Sequence, residues 1–194
     1  MVCWSIYRSI TVLFTHKVRG GSWRTLTSLL TRESMRVYHG SLERVPTPEI
    51  RDANRGLDYG SGFYTTTSAK QAEDWVRKRM DDFHAPKGYV NIYELDLEAL
   101  KQFNCVFFNS PSEEWLDFVM NNRMDKNFVH DYDVVYGPVA NDRVYACFAL
   151  YEGGVLSKPN LIAELKTYRL VDQYLFHTAQ ALKALTFVEA KEIL

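Results

Sequence analysis

Three short stretches hold the side chains best suited to chemistry: VYHGS at 37–41, GLDYGSGFYTT at 56–66 and VDQYLFHT at 171–178. His39 brings an imidazole that changes charge near neutral pH. It reads as the end of a strand, and Gly40 after it permits close approach of a ligand to the backbone. Tyr64 offers an aromatic face with a polar tip, with Gly60 and Gly62 just before it. Gln173 sits mid-strand, with an amide oxygen that accepts a hydrogen bond but carries no charge. Taken singly, each has an ordinary reading. A capped loop histidine, a core tyrosine on a strand and a solvent-facing edge glutamine would look the same. Their order along the chain and their glycine settings set them apart.

The elements that must position these residues are legible in outline. A strand over 36–39 leads to His39-Gly40, and Pro46 and Pro48 hold the next segment extended. A glycine-containing loop delivers the chain to a strand at 63–65. Ser68 with Gln71 three residues on is a capping-box start, followed by Ala69, Ala72, Trp75, Val76 and Arg79 at helical spacing. GYVNIYELDL alternates like a strand, and CVFF reads as a more buried one. Ser110, Pro111 and Glu113 fit the N-cap, first and third positions of a helix. DYDVVYGPV is a strand, DRVYACFALYEGG a helix with a glycine stop, and PNLIAELKTY another helix. A helix over AQALKAL and a last strand at TFVEA follow VDQYLFHT. Strands and helices mix without regular βαβ alternation, which makes the fold class α+β.

Composition narrows the function. The 194 residues are 46% hydrophobic and 14% aromatic, enough for one well-packed domain without disulfides or metals. A net charge of −1 supplies no bulk attraction to nucleic acid or membrane. Three widely spaced cysteines imply a reducing, cytoplasmic setting, neither a disulfide framework nor a zinc site. There is no Walker A loop, GxGxxG, HExxH, CxxC or GxSxG, and the five histidines show no ligand spacing, so no metal is expected. No apolar run is long enough to cross a membrane. Residues 1–34 are basic, with Glu33 the sole acid. They read as an arm outside the fold, or as an over-extended start upstream of Met35; residues 35–194 are the domain.

Together, YHGS, GSGFYTT and DQYLFHTAQALKAL resemble the His–Tyr–Glu class of ADP-ribosyltransferases, whose best-known members are the poly(ADP-ribose) polymerases. The first two motifs match closely. The third matches in frame, with Gln173 where that class usually has glutamate. More broadly, residues 36–190, including SEEWLDFV and DYDVVYGPVAND, are similar to a bacterial family of uncharacterised domains assigned to the same superfamily. The resemblance implies an ADP-ribosyltransferase-like fold, with two small packed mixed sheets and flanking helices around an NAD cleft.

It also implies roles. His39 would donate to the adenosine-side ribose hydroxyl, the backbone of Gly40 would pair with the nicotinamide carboxamide, and Ser41 would assist the ribose. Tyr64 would stack on the nicotinamide, Gly60 and Gly62 would let the backbone pass beneath the cofactor, and Gln71 or Trp75 would close the pocket. Asp58 and Tyr59 would line the donor loop. Gln173 would hold the ribose 2′-hydroxyl without the negative charge that steadies an oxocarbenium-like centre. Asp172 cannot simply replace it, because strand alternation turns it to the other face.

The function expected from these residues is an NAD-dependent mono-ADP-ribosyltransferase that modifies a protein or nucleic acid, in the manner of a bacterial toxin or defence effector with an antitoxin-like partner. The alternatives are a non-catalytic NAD or ADP-ribose binding module, in which Gln173 marks lost chemistry, and an NAD-dependent RNA 2′-phosphotransferase, which would want additional Arg or His anchors where only Arg44, Arg51 and Arg55 are nearby.

Overall fold

A computed structural model describes residues 33–51, 57–125, 127–139, 142–168 and 170–194. The chain divides into two units, residues 1–31 and 32–194; residues 1–32 and Arg55 lie outside the described residues. The expected start of the domain at Met35 is two residues late, because the Glu33 carbonyl accepts from the Leu97 amide and Ser34 pairs with Asp96.

In chain order the elements are β1 (Ser34–Ser41), β2 (Phe63–Thr65), α1 (Ala69–Phe83), β3 (Gly88–Asp96), α2 (Leu97–Leu100), β4 (Cys105–Phe107), α3 (Glu113–Met124), β5 (Val134–Pro138), α4 (Asp142–Glu152), α5 (Lys158–Leu165), β6 (Asp172–Phe176) and β7 (Leu185–Ile193). They form two small sheets, ordered β1-β3-β7 and β2-β6-β5-β4, so the α+β class holds. The expectation of two mixed sheets needs correcting. The first sheet is wholly antiparallel, and only the second is mixed, through the parallel β4–β5 pair.

Three apolar layers hold these elements. Ala72 and Val76 of α1 cover one face of the first sheet at Val90, Ile92 and Ile193. Between the sheets, Val37, Tyr93 and Leu95 meet Phe63, Tyr174 and Phe176. The outer face of the second sheet, at Val135 and Leu175, is closed by Trp115, Leu116 and Val119 of α3, Phe148 of α4 and Leu161 of α5. β3 is covered on both faces, so burial along it is nearly continuous and the alternation of its sequence is lost.

Other local readings shift for identifiable reasons. CVFF is not a buried strand. β4 is a three-residue edge, and Phe107 is 44% exposed. The third helix starts two residues later than the Ser-Pro pair suggests, because Ser112 is its N-cap and accepts from the Trp115 amide at 3.2 Å. AQALKAL makes only a 3₁₀ turn, Ala181–Ala184, since Leu185 already pairs with Leu95 of β3 and leaves no length for a helix. The Ser68 cap forms as expected, accepting from the Gln71 amide at 3.2 Å. Gln71 does not complete the box directly, because Thr66 stands between, accepting from the Ser68 amide and donating to Gln71 Oε1. No helix among the described residues is long and apolar enough to cross a membrane.

One buried phenol ties the loop before β2 to the helical layer. Tyr59 is fully buried; its hydroxyl donates to the Pro138 carbonyl at 2.5 Å and accepts from Trp115 Nε1 at 2.8 Å. Next to it, Asp58 pairs with Arg123 of α3 at 3.1 Å. Removing the hydroxyl leaves an indole N–H and a carbonyl without their partner in the core. Tyr59→Phe is therefore expected to cost about 2–4 kcal/mol in urea denaturation; a change within about 0.5 kcal/mol, the usual range for neutral surface substitutions, would contradict this role.

Candidate functional site

The two sheets meet edge to edge. β1 is the edge of the first and β2 of the second, and a single antiparallel bridge joins them, Tyr38 to Thr66, with hydrogen bonds of 2.8 and 2.9 Å. If that ladder ran on by two residues, Gly40 would pair with Tyr64. It does not. The Tyr64 carbonyl instead takes the imidazole Nδ1 of His39 at 2.7 Å, and the two strands part.

Gly40 is thereby left with its backbone open to the parting. Amides and carbonyls alternate sides along a strand, so those of Gly40 point the same way as those of Tyr38, toward β2 and away from β3. Among the described residues Gly40 makes no hydrogen bond to that side. Its other flank explains the glycine independently. A Cβ there would sit 2.5 Å from the Ala72 carbonyl and 3.2 Å from Trp75, so α1 already requires the residue to be bare.

The tautomer of His39 follows from its partner. A carbonyl only accepts, so Nδ1 carries the proton. Burial pushes the imidazole below the ordinary histidine range, against the opposing pull of the Tyr64 carbonyl, and Arg51 lowers it further. At neutral pH the ring is uncharged and Nε2 presents a lone pair. With Nδ1 engaged, Nε2 is the ring atom left to meet a partner, and it does so as an acceptor. Phe63, stacked at 4.4 Å between centroids, holds the ring in place.

Tyr64 and Gln173 share the outer face of the second sheet. Tyr64 lies opposite Leu175 in the β2–β6 pair, and Gln173 is two residues from Leu175 on the same face, a diagonal separation of about 7–8 Å. The Tyr64 hydroxyl donates to the Gly60 carbonyl at 2.7 Å, which fixes its ring. Beside Gln173 stand Gly137, its partner on β5, and Thr66, one step on in the β2 register. Asp172 faces the other way, as alternation requires. Its carboxylate accepts from the Thr67 amide and hydroxyl at 3.0 and 2.6 Å and from the Tyr136 hydroxyl at 3.2 Å.

The remaining sequence-derived residues fall into two groups. Gln71 is tied to Thr66 at 2.5 Å, and half-exposed Trp75 lies beside Gly40, with Arg79 5.9 Å from its ring; both are near the parting. Ser41 ends β1 and accepts from the Glu43 amide at 3.2 Å. Gly60 has φ +83°, and a Cβ on it would meet Asn122, while one on Gly62 would meet the Phe176 carbonyl at 2.5 Å. The protein's own packing thus accounts for both glycines. Asp58 and Tyr59 are buried and engaged by Arg123, Trp115 and Pro138, so they brace the loop instead of lining it. Among the described residues, no group of three or more His, Cys, Asp or Glu is arranged to hold a metal.

Residues 35–187 match DUF3990, a family described as proteins of unknown function. The chain belongs to that family. No curated protein matches it.

This DUF3990 domain also contains a histidine pair that periodicity does not reveal. His177 Nδ1 donates to the Ser61 carbonyl at 2.8 Å, and its ring meets His130 edge-on at 4.6 Å. The His177 Nε2 atom is buried without a hydrogen-bond partner. Burial first, and His130 second, push His177 down to about 4; burial also lowers His130. The pair buttresses the Gly60–Gly62 turn from the far end of β6.

The sign for stability follows from linkage. The folded pKa lies below the ordinary 6.5, so folding with neutral His177 is fully favourable above pH 6.5 and loses ground as pH falls toward 4. After allowance for partial exposure the loss is roughly 2–3 kcal/mol. Denaturation free energies measured between those pH values should fall more steeply for the wild type than for His177→Gln. Parallel curves would show that His177 is not held neutral.

Proposed function

We propose that this DUF3990 protein is an NAD-dependent mono-ADP-ribosyltransferase acting on a macromolecule, with NAD as substrate and no metal. The observation that carries this reading is the parting of β1 from β2 at His39. It creates, on adjacent strands, an open amide–carbonyl pair at Gly40, an imidazole acceptor at His39 and a fixed aromatic ring at Tyr64. The glutamine of Gln173 stands diagonally across from that ring. An amide–carbonyl pair on one glycine is complementary to a carboxamide, which needs one donor and one acceptor side by side. The resemblance to the His–Tyr–Glu class supports the same assignment and brings in the reaction.

In that reaction the bond between ribose C1′ and the nicotinamide nitrogen breaks, its electron pair leaves with nicotinamide, and a nucleophile of the acceptor forms the new bond to C1′. Positive charge spreads over C1′ and the ring oxygen on the way. Gly40 grips the leaving group through its carboxamide, and Tyr64 covers the ring by stacking, which contributes about 0.5–1.5 kcal/mol beyond burial. His39 Nε2 accepts from a hydroxyl of the distal ribose. Gln173 accepts from the 2′-hydroxyl of the reacting ribose.

The missing charge at Gln173 sets the expected rate. A preorganised electrostatic partner removed from a transition state commonly costs about 10²–10³ in rate, so turnover is slow and chain elongation to a polymer is not expected. Modest turnover of this kind fits a toxin or defence effector held in check by an antitoxin-like partner. The uncharged Gln173 equally favours a second reading, an NAD or ADP-ribose binding module that occupies the same residues without chemistry.

Labelled NAD incubated with the protein and cell lysate separates the two. Transfer of label by the wild type, lowered about 10²-fold in His39→Ala and raised in Gln173→Glu, is the expected result. Binding of NAD with no transfer by either the wild type or Gln173→Glu would leave the binding module, and no binding of NAD or ADP-ribose at millimolar concentration would remove both. The sign of the pH effect is also set: transfer should weaken only below the ordinary histidine range, as protonation removes the Nε2 acceptor of His39.

A further inference from the structure

The first sheet ends on β7, and alternation along the ladder fixes which groups that edge presents. Tyr38 turns its amide and carbonyl to Thr66, so Val37 and His39 turn theirs to Tyr93 and Asn91 of β3. Val90 and Ile92 then face β7, where their partners are Lys191 and Glu189. The amides and carbonyls of Ala190 and Glu192 consequently point away from the sheet. Among the described residues no strand pairs with them.

The side chains on this edge are unusual in a second way. Glu189 and Lys191 are exposed, carry opposite charge, and lie two residues apart on one face. Neither belongs to an ion pair or side-chain hydrogen bond among the described residues. Glu73 of α1, which senses Lys191, is already bonded to Arg77 at 2.8 Å. Open edges are ordinarily guarded by charges that any incoming strand must desolvate. Here the guard is self-complementary. An antiparallel copy of β7 centred on Ala190 brings Glu189 opposite Lys191 of the second copy, and by symmetry the reverse. These are the non-hydrogen-bonded positions, where opposed side chains come closest. The bulge in β7 falls at Val188, between the Phe187–Tyr93 and Glu189–Ile92 pairs, so the regular edge begins at Glu189, and the Glu192 carboxylate is already engaged by Lys87 and Tyr89 at 3.0 Å.

We propose that β7 pairs with β7 of a second copy about a two-fold axis at Ala190, joining two three-stranded sheets into one of six strands. β3 and β1 separate this edge from the parting at Gly40, so pairing leaves the candidate site clear, and the proposal stands independently of the assigned activity.

Sedimentation equilibrium of the full chain, from micromolar to submillimolar concentration, tests it. The wild type should approach twice the monomer mass. Glu189→Lys and Lys191→Glu should each weaken association roughly tenfold or more, because both reciprocal pairs become repulsive, and the double swap should restore it. Ala190→Pro removes an outward N–H without touching the β3 ladder and should leave a folded monomer. A wild type that stays monomeric throughout, or a dimer indifferent to the charge swaps and to Ala190→Pro, would overturn the proposal.

Discussion

The hydrogen bond from His39 Nδ1 to the Tyr64 carbonyl occupies the place where a backbone amide would otherwise continue the ladder between β1 and β2. Had Gly40 taken that carbonyl, the ladder between the two sheets would have run on past its single bridge. With the side chain in its place, the strands separate after one bridge, and Gly40 keeps a donor and an acceptor facing the gap. The same bond fixes the imidazole tautomer, so one contact sets both the shape of the opening and the polarity of the ring beside it. Burial keeps that ring neutral, which preserves the Nε2 lone pair across the physiological range.

The surroundings read as support for that contact. Phe63 stacks on the imidazole, Asp172 clamps β6 to Thr67 at the start of α1, and Tyr59 pins the loop before β2 to α3 and β5. His177 holds the Gly60–Gly62 turn from the other end of the same strand. Buried polar groups of this kind cost free energy unless each has its partner, and nearly all of them are satisfied within the protein. These contacts converge on β2 and β6, the strands that carry Tyr64 and Gln173.

The strands at Tyr64 and Gln173 were legible because short β-rich runs between glycine and proline punctuation have few other readings, and the Ser68 cap because its spacing is local. The β1–β2 parting was not legible, since it depends on a side chain replacing a backbone donor across 25 residues. Nor could spacing tell why the glycines are there: Gly40 and Gly62 read as room for a ligand, while α1 and β6 also demand them. AQALKAL has helical composition and yet forms one turn, because β3 claims the residues that follow. The tautomer of His39 was hidden for a similar reason, as it is set by a carbonyl that the sequence does not identify.

The central claim is that the backbone of Gly40 is an open receptor for a carboxamide. Titrating the isotopically labelled protein with nicotinamide and following backbone amide resonances tests it most directly. The Gly40 amide should shift saturably, together with those of His39 and Tyr64, and benzoate, which has no N–H to offer the Gly40 carbonyl, should perturb it far less. A Gly40 resonance that does not move at millimolar nicotinamide, or that moves equally with benzoate, would contradict the claim.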